Sequence, residues 1–377
     1  MYVKNLISFE NKLQLKFFVS LVDSIKMMKD VKIEFRKPMY PVNPELMDYL
    51  EKNNRLTNIR FYYDDLLRFS DYMPVHDKDG NDTLWLNVYY PEFEHAEIEA
   101  NLNKIYTLLH SDGDVDVLPF LTVDSIHFCT FGNSKPFRIR VRNILNDNYT
   151  NFYIKKADAS RIYGLELEEI LSPNRINFLL YKDTLIEEHI LGIPGDVFIE
   201  HHLEQCMPQE KAQIAKEFVK FNERCLIGLL GDMRSYNYVV IPTHDFDQVV
   251  YRIRPIDFDQ QCYEGNLKIY LPQYFKENKK MVDMVYDKLK PNSIEQYRKE
   301  VRSAIAKRAS TDSRLHQLID IMKKDNISKP ENVEELKAGL HKLTYSTHFR
   351  KCENMGEILE TGLNFVIRNY RSSNVKK

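Results

Sequence analysis

Residues 210–260 constrain the fold of this chain more than any other stretch, because they predict a helix, an acidic turn and a hairpin in immediate succession. Apolar residues recur at helical spacing from Ile214 to Leu229, so the first half is predicted to be an amphipathic helix that ends at Gly231. A loop follows it. Two strands, at residues 238–241 and 249–254, are then predicted on either side of a turn.

The predicted hairpin brings together polar residues that are far apart along the chain. An antiparallel hairpin places the start of its first strand beside the end of its second. Asn237 precedes the first strand and Asp257 follows the second, so we expect them to be neighbours, with Asp232 one loop turn away. Magnesium binds one or two carboxylates, amide oxygens and substrate phosphates. The pattern therefore predicts a magnesium site that includes Asn237 and Asp257.

The same stretch resembles the catalytic segment of the protein-kinase-like fold. The kinase catalytic loop is H-R-D-x-x-x-x-N, in which the Asp accepts the proton of the attacking hydroxyl and the Asn holds a metal; the later D-F-G Asp holds another metal. This chain has Asp232-Met-Arg-Ser-Tyr-Asn237, and then Ile-Asp257-Phe-Asp259 after the hairpin. The resemblance implies that Asp232 is the catalytic base, that Asn237 and Asp257 bind metal, and that Arg234 neutralises the transferred phosphoryl group.

Two positions depart from the ordinary kinase pattern. Leu230-Gly231 replaces the His-Arg pair, and Asp259 replaces the D-F-G glycine. Both changes resemble the atypical branches, which include aminoglycoside phosphotransferases, HipA-like kinases and lipid kinases. The fold implied is α+β, with a β-rich upper lobe and a helical lower lobe behind an N-terminal α+β extension. The function implied is ATP- and Mg²⁺-dependent transfer of the γ-phosphate to a hydroxyl.

The order of the kinase motifs also implies which lysine contacts ATP. An F-Y-I-K string that ends at Lys155 resembles the V-A-I-K strand, whose Lys contacts the α and β phosphates. Lys156 lies on the opposite face of that strand and is the poorer choice. In kinases a helix Glu holds this Lys. The helix predicted at residues 163–171 offers Glu166, which we choose, with Glu168 and Glu169 as the alternatives.

Three further residues complete the predicted nucleotide site. Gly132 lies in the loop 131–135, a candidate phosphate-covering loop with one glycine where the kinase pattern has three; a plain hairpin turn is the alternative. Residues 194–203 are predicted to form a turn, a strand and a connector. In the kinase layout this connector is the hinge, so backbone groups near Glu200 and His202 are expected to meet adenine.

The motifs divide the chain into three predicted regions: an N-terminal α+β extension at 1–116, the upper lobe at 117–203 and the helical lower lobe at 204–377. In the extension, helices are predicted at residues 13–28, 44–53 and 94–110, and strands at 31–35, 59–63 and 83–90. The upper lobe has predicted strands at 125–130, 137–142, 151–156, 176–181 and 185–190. Five helices are predicted between 280 and 368.

Composition limits the remaining classes of protein. Hydrophobic residues make up 43% of the chain and charged residues 29%, which is typical of a soluble globular protein. The net charge of -2 argues against nucleic-acid binding by bulk charge, although it leaves room for a local basic patch. No apolar run approaches the length of a membrane span. The five cysteines are scattered without a C-x-x-C, which indicates neither disulfides nor a zinc site and predicts a cytoplasmic location.

Two other functions stay open at this point. A pseudokinase that senses nucleotide or binds a protein partner is favoured by the single glycine of the loop 131–135. A metal-dependent glycosyltransferase could use Asp257-Phe-Asp259 as a D-x-D pair, but the helix that leads straight into G-D-x-x-x-x-N does not fit its nucleotide-sugar domain. The motifs do not identify the acceptor hydroxyl. The additional N-terminal region favours a protein Ser or Thr over a small molecule.

Overall fold

The computed structural model describes residues 37–246 and 248–370. In this part the chain is α+β, with a seven-stranded antiparallel sheet, a three-stranded antiparallel sheet and helices. It divides into two compact units, an N-terminal unit (37–191 and 313–327) and a C-terminal unit (192–312 and 328–370). The helix and strand predicted at 13–28 and 31–35 lie outside the described residues.

The N-terminal unit is built on the seven-stranded sheet. Its strands are β1 (Asp71–His76), β2 (Asp82–Tyr89), β3 (Leu121–Cys129), β4 (Phe137–Asn143), β5 (Asn148–Lys156), β6 (Phe178–Tyr181) and β7 (Thr184–Glu188). They lie in the order β1-β2-β3-β4-β5-β7-β6. The strands predicted near these positions are confirmed within a few residues. Strands on both sides of position 116, the predicted boundary of the extension, therefore belong to one sheet.

Helices of the N-terminal unit precede and follow these strands, as α1 (Pro44–Lys52), α2 (Tyr63–Leu66), α3 (Glu92–His110) and α4 (Ala159–Leu171). The predicted strand at 59–63 is wrong, because α2 begins at Tyr63 and the preceding residues form no strand. The apolar residues there, Phe61 and Tyr63, are buried in the hydrophobic core of the unit. Their alternation reflects this burial and not strand pairing.

The two faces of the sheet differ in character. Phe137, Ile139 and Val141 of β4 are buried in the same core as the apolar side of α3. The alternate residues of β4 are arginines and are only half-buried. This period of two is the pattern of a strand with one face in a core and one face towards solvent.

The C-terminal unit is mainly helical. Its elements are a short helix α5 (Gly195–Val197), then α6 (Pro208–Gly228), α7 (Lys279–Lys288), α8 (Pro291–Thr311), α10 (Pro330–Thr344) and α11 (Met355–Tyr370), and the strands β8 (Ile193–Pro194), β9 (Tyr238–Asp245) and β10 (Gln248–Pro255). Helices α8 and α10 both begin with proline, whose missing N–H costs nothing at that position. In the part of the chain that the structure describes, no helix has the length and apolar content needed to cross a membrane.

The remaining helix, α9 (Ser313–Met322), belongs to the N-terminal unit together with residues 323–327. Asp325, which follows it, accepts hydrogen bonds at 2.8 Å from the Asn43 side chain and from the Tyr163 hydroxyl. The predicted lower lobe of 204–377 thus contains a segment that contributes to the unit of the large sheet. Its helical period was readable from the sequence, whereas its packing partners were not.

The chain is helical from Gly195 onward, so the turn, strand and connector predicted at 194–203 are wrong there. Helix α5 continues into a π-helical turn (Phe198–His202) and a 3₁₀ turn (Leu203–Gln205). Phe198, Ile199 and Leu203 are its buried apolar side chains, and their spacing fits helical packing better than a strand. Gly195 starts the segment because a Cβ there would lie 2.4 Å from the backbone oxygen of Ser235.

Candidate functional site

Helix α6 leads directly to the first candidate catalytic residue. It ends at Gly228, earlier than predicted, because Leu229 takes a left-handed conformation with φ of 52°. Leu230 then pairs with Gln261, and the Cys262 N–H donates to the Leu229 carbonyl at 2.9 Å. The helix end is therefore tied to the segment that follows β10.

Asp232 has an unusual backbone conformation, with φ of 58°. Left-handed backbone is uncommon outside glycine, although Asp and Asn adopt it more readily than other residues. The Asp232 N–H donates to the Ile269 carbonyl at 3.1 Å, and the Asp232 carbonyl accepts from the Arg234 N–H at 2.8 Å. Both hydrogen bonds hold the residue in this conformation. Such conformations cluster at functional sites in proteins.

The β9–β10 hairpin brings Asn237 next to the segment that carries Asp257, as its register predicts. Tyr238 lies opposite Pro255 in the hairpin. The Ile256 N–H donates to the Asn237 carbonyl at 3.0 Å. Asp257 is also close enough to Asp232 to raise its pKa by charge repulsion. The three predicted oxygen-bearing side chains therefore converge at the base of this hairpin.

The Asp232 carboxyl lies in a largely buried and charged environment. Its Oδ1 accepts from Arg234 Nε at 2.9 Å, and its side chain is 22% exposed. Burial raises the pKa of Asp232 from its ordinary value of 3.8 to about 7; Asp257 and Glu277 add to the rise, and Arg234 opposes it. A carboxyl that titrates near neutral pH can exchange a proton with a substrate hydroxyl.

Arg234 forms ion pairs with two carboxylates of this site. Besides Asp232, its guanidinium donates through Nη1 to Glu277 Oε1 at 2.7 Å, and it lies over the Phe275 ring. Sequence reasoning missed Glu277, which lies 43 residues further along in a short 3₁₀ turn. No motif marks it, because its role depends on where the chain returns after the hairpin. The geometry makes Arg234 a bridge between two carboxylates.

Asn237 and Asp257 have a donor set that suits Mg²⁺. The Asn237 Nδ2 donates to the Asp232 carbonyl at 2.8 Å, which directs the amide oxygen to the other side. Asp257 Oδ1 accepts from the Asp259 N–H at 3.0 Å. Residues 37–246 and 248–370 include no group of three or more His, Cys, Asp or Glu that could hold a metal ion. One carboxylate and one amide oxygen still fit an ion whose other ligands are phosphate and water.

Lys155, in the N-terminal unit, is 6% exposed and forms an ion pair with Glu187 at 2.7 Å. Glu187 also accepts from Arg161 Nη1 at 3.1 Å. Lys155 lies opposite Leu185 in the sheet, so Glu187, two residues further along β7, is its diagonal neighbour on the same face. A carboxylate on the neighbouring strand thus holds the predicted ATP lysine. Lys156 points to the other face and pairs with Asp64.

The structure pairs Lys155 with Glu187 instead of the predicted Glu166. The Glu166 carboxylate is buried and accepts from Arg55 Nε at 2.7 Å and from the Tyr49 hydroxyl at 2.9 Å. The two alternatives on α4 are also engaged elsewhere: Glu169 pairs with Arg55, and Glu168 accepts from the Ser172 hydroxyl. A charged residue inside the buried strand β7 was the only sequence signal for Glu187.

The remaining predicted nucleotide contacts lie in exposed segments. Gly132 has φ of 81° and lies in the turn between β3 and β4, where no atom is within 4 Å of a Cβ position. This turn is open enough for a ligand to approach its backbone. Glu200 and His202 are exposed, but the helical turns there engage backbone groups, as in the bond from the Leu203 N–H to the Phe198 carbonyl. The extended hinge expected at these residues is therefore replaced by helix.

Comparison with known proteins adds no relative from which a role could be transferred. No family model matches this chain, and no curated protein matches it. The function of this chain is therefore inferred from the geometry around Asp232 and from the contacts of Lys155.

Proposed function

We propose that this protein is an ATP- and Mg²⁺-dependent phosphotransferase that moves the γ-phosphate to a hydroxyl, with a protein Ser or Thr favoured over a small molecule. The observation that carries the proposal is the convergence of Asp232, Asn237 and Asp257 at the base of the β9–β10 hairpin. The proposal extends to the fold. The N-terminal unit corresponds to the β-rich upper lobe of a kinase-like protein, and the C-terminal unit to the helical lower lobe.

Asp232 is assigned as the group that orients and deprotonates the acceptor hydroxyl. A general base works best when its pKa lies near the working pH, and burial raises the pKa of this carboxyl to about 7. Arg234 donates to one of its oxygens and is itself fixed by Glu277. We therefore assign Arg234 to holding Asp232 in place, a role different from the phosphoryl neutralisation that the resemblance implied.

Asn237 and Asp257 are assigned as the protein ligands of Mg²⁺. The Asn237 amide is oriented by its bond to the Asp232 carbonyl, so its oxygen is available in a fixed direction. When bound, the ion would neutralise negative charge on the phosphate oxygens. Both residues would thereby place the transferred group relative to Asp232.

Lys155 is assigned to the ATP phosphates, with Glu187 and Arg161 as the residues that fix its position. The Lys155 side chain is buried, and its ammonium group shares the Glu187 carboxylate with Arg161. Since Glu187 lies on the strand adjacent to that of Lys155, its place is set by the sheet. The assignment predicts a lysine that is held in one position whether or not nucleotide is present.

The test is a thermal-shift titration with ATP, with and without Mg²⁺, on the wild type and on Asp257→Ala. A ligand that binds only the folded state raises the melting temperature by mass action. We expect a magnesium-dependent rise that Asp257→Ala loses and that Asp283→Ala, at an exposed position of α7, retains. The absence of any shift with ATP in the wild type would contradict the proposal.

A pseudokinase is the second candidate, and one observation favours it. Asp232 and Arg234 already form an ion pair, and Arg234 also pairs with Glu277, so the predicted base is engaged before any substrate arrives. Phosphate transfer from labelled ATP to Ser- and Thr-containing proteins discriminates between the two. Transfer that Asp232→Asn abolishes supports the enzyme, whereas magnesium-dependent ATP binding without transfer supports the pseudokinase.

A further inference from the structure

The face of the seven-stranded sheet opposite α3 carries a group of arginine and aromatic side chains that the proposed function does not use. We name it the arginine–aromatic face and define it by six residues of β2, β4 and β5: Trp85, Tyr89, Arg138, Arg140, Arg142 and Tyr149. The strand register places them together. Arg142 is opposite Tyr149, Arg138 is opposite His127, and His127 is opposite Asn87, which lies between Trp85 and Tyr89 with the same side-chain direction.

The arginines of this face lie over its aromatic rings. The Arg140 guanidinium is 4.1 Å from the centre of the Tyr149 ring, and that of Arg138 is 4.8 Å from the centre of the Trp85 ring. The Arg140 and Arg142 side chains are 43% and 40% exposed, and Tyr149 is 44% exposed. Parts of the arginine side chains and of the Tyr149 side chain are therefore accessible to a ligand.

The six residues that define this face include three arginines and no carboxylate, and Asp71 lies opposite Tyr89 at its edge. Asp124 lies 3.5 Å from Arg140 Nε, and Asp147 lies 2.5 Å from Arg142 Nη2. Such exposed ion pairs contribute little and are readily exchanged for other anions. Arg138 donates instead to His127 Nδ1 at 2.8 Å. Burial and the neighbouring Arg138 lower the pKa of His127 to about 4, so this imidazole is neutral at physiological pH and does not balance the arginine.

We propose that the arginine–aromatic face binds single-stranded nucleic acid. Arginines supply phosphate contacts, and unpaired bases stack on aromatic rings and on guanidinium planes. The exposed face of an antiparallel sheet presents such groups to splayed bases, whereas the bases of a duplex are stacked on one another and closed to it. An acidic peptide would match the arginines but has no use for the rings. The overall charge of -2 does not oppose this binding, because the face is local.

The test is fluorescence anisotropy of a labelled oligo(U) RNA and an oligo(dT) DNA with the full chain over a range of salt concentrations. Each phosphate contact contributes about 0.7 to the slope of log affinity against log salt for single strands. The double variant Arg140→Gln/Arg142→Gln should therefore lose about 1.4 from the slope. The matched control, Lys280→Gln/Lys307→Gln, removes the same charge from exposed positions of the C-terminal unit and should bind as the wild type does.

A second variant tests stacking separately from charge. Tyr149→Ala should weaken binding about tenfold at an unchanged salt slope, because base stacking is independent of counterion release. The proposal would be overturned by a wild type that does not bind either oligonucleotide, or by a lysine control that loses as much as the arginine variant. It would also be overturned if a poly-glutamate peptide or duplex DNA bound as tightly as the single strands. Phosphotransferase activity does not enter any of these outcomes.

Discussion

Replacing Asp232 by asparagine tests the physical basis of the candidate site, the carboxyl that titrates near neutral pH. Asparagine has the shape of the protonated acid and also tolerates the left-handed backbone found at this position. The substitution therefore removes the ionisation and leaves the backbone conformation accessible. Its effect on the free energy of unfolding should depend on pH. The raised pKa of Asp232 sets the sign of that dependence.

The size of this pH effect follows from the difference between the pKa of Asp232 in the folded state and its pKa in the unfolded state. The pKa of Asp232 is about 7 in the folded protein, against an ordinary value of 3.8. Below pH 4 both states carry the proton; between pH 4 and pH 7 only the folded state keeps it, so stability falls as pH rises and levels off above pH 7. Each pKa unit corresponds to about 1.4 kcal/mol. The wild type should thus lose about 3 kcal/mol between pH 5 and pH 8, with some reduction because the side chain is partly exposed.

Urea denaturation of wild type and Asp232→Asn at several pH values between 5 and 8.5 measures this loss. The difference in the free energy of unfolding should grow with pH in favour of Asp232→Asn and become constant above pH 7. Asp287→Asn, at an exposed position of α7, is the control for general charge effects. A difference that stays constant from pH 5 to pH 8.5 would show that the carboxyl ionises normally and would refute the reasoning.

Three further predictions concern other parts of the molecule. Glu187→Gln should reduce the free energy of unfolding by about 3 kcal/mol or more, since it leaves buried cations without their shared carboxylate. Glu187→Gln should also weaken ATP binding. The control, Glu166→Gln, should destabilise the protein and leave ATP binding unchanged. ATP titrations that are equal for the wild type and Glu187→Gln would contradict the assignment of Lys155. Gly195→Ala should cost several kcal/mol in urea unfolding because its Cβ would overlap a backbone oxygen, while Gly228→Ala, with no atom within 4 Å, should gain about 0.5 to 1 kcal/mol. The phosphotransfer rate should rise through about pH 7, and a flat pH–rate profile would exclude Asp232 as the base.

Much of the local structure was predictable because it depends on nearest neighbours along the chain. The strand predicted at 137–142 is β4, where apolar residues alternate with arginines, and the helices predicted after residue 280 include α8 and α10, whose first residues are prolines. The β9–β10 register followed from two adjacent strands and a short turn. The strand predicted at 59–63 failed because apolar residues at alternate positions can be buried in a core without pairing. The prediction for residues 194–203 was wrong because the apolar residues of so short a helical stretch show no clear period.

The sequence by itself determined which polar residues meet at the hairpin, because Asn237 and Asp257 flank two strands that follow each other directly and pair as a hairpin. Only the tertiary structure decided the partners that come from distant parts of the chain. Glu187 pairs with Lys155 across the sheet, and Glu277 reaches Arg234 from 43 residues away. The pKa of Asp232 is also decided by the tertiary structure. Burial and the charges of residues brought near by folding raise it, and neither is encoded in its local sequence.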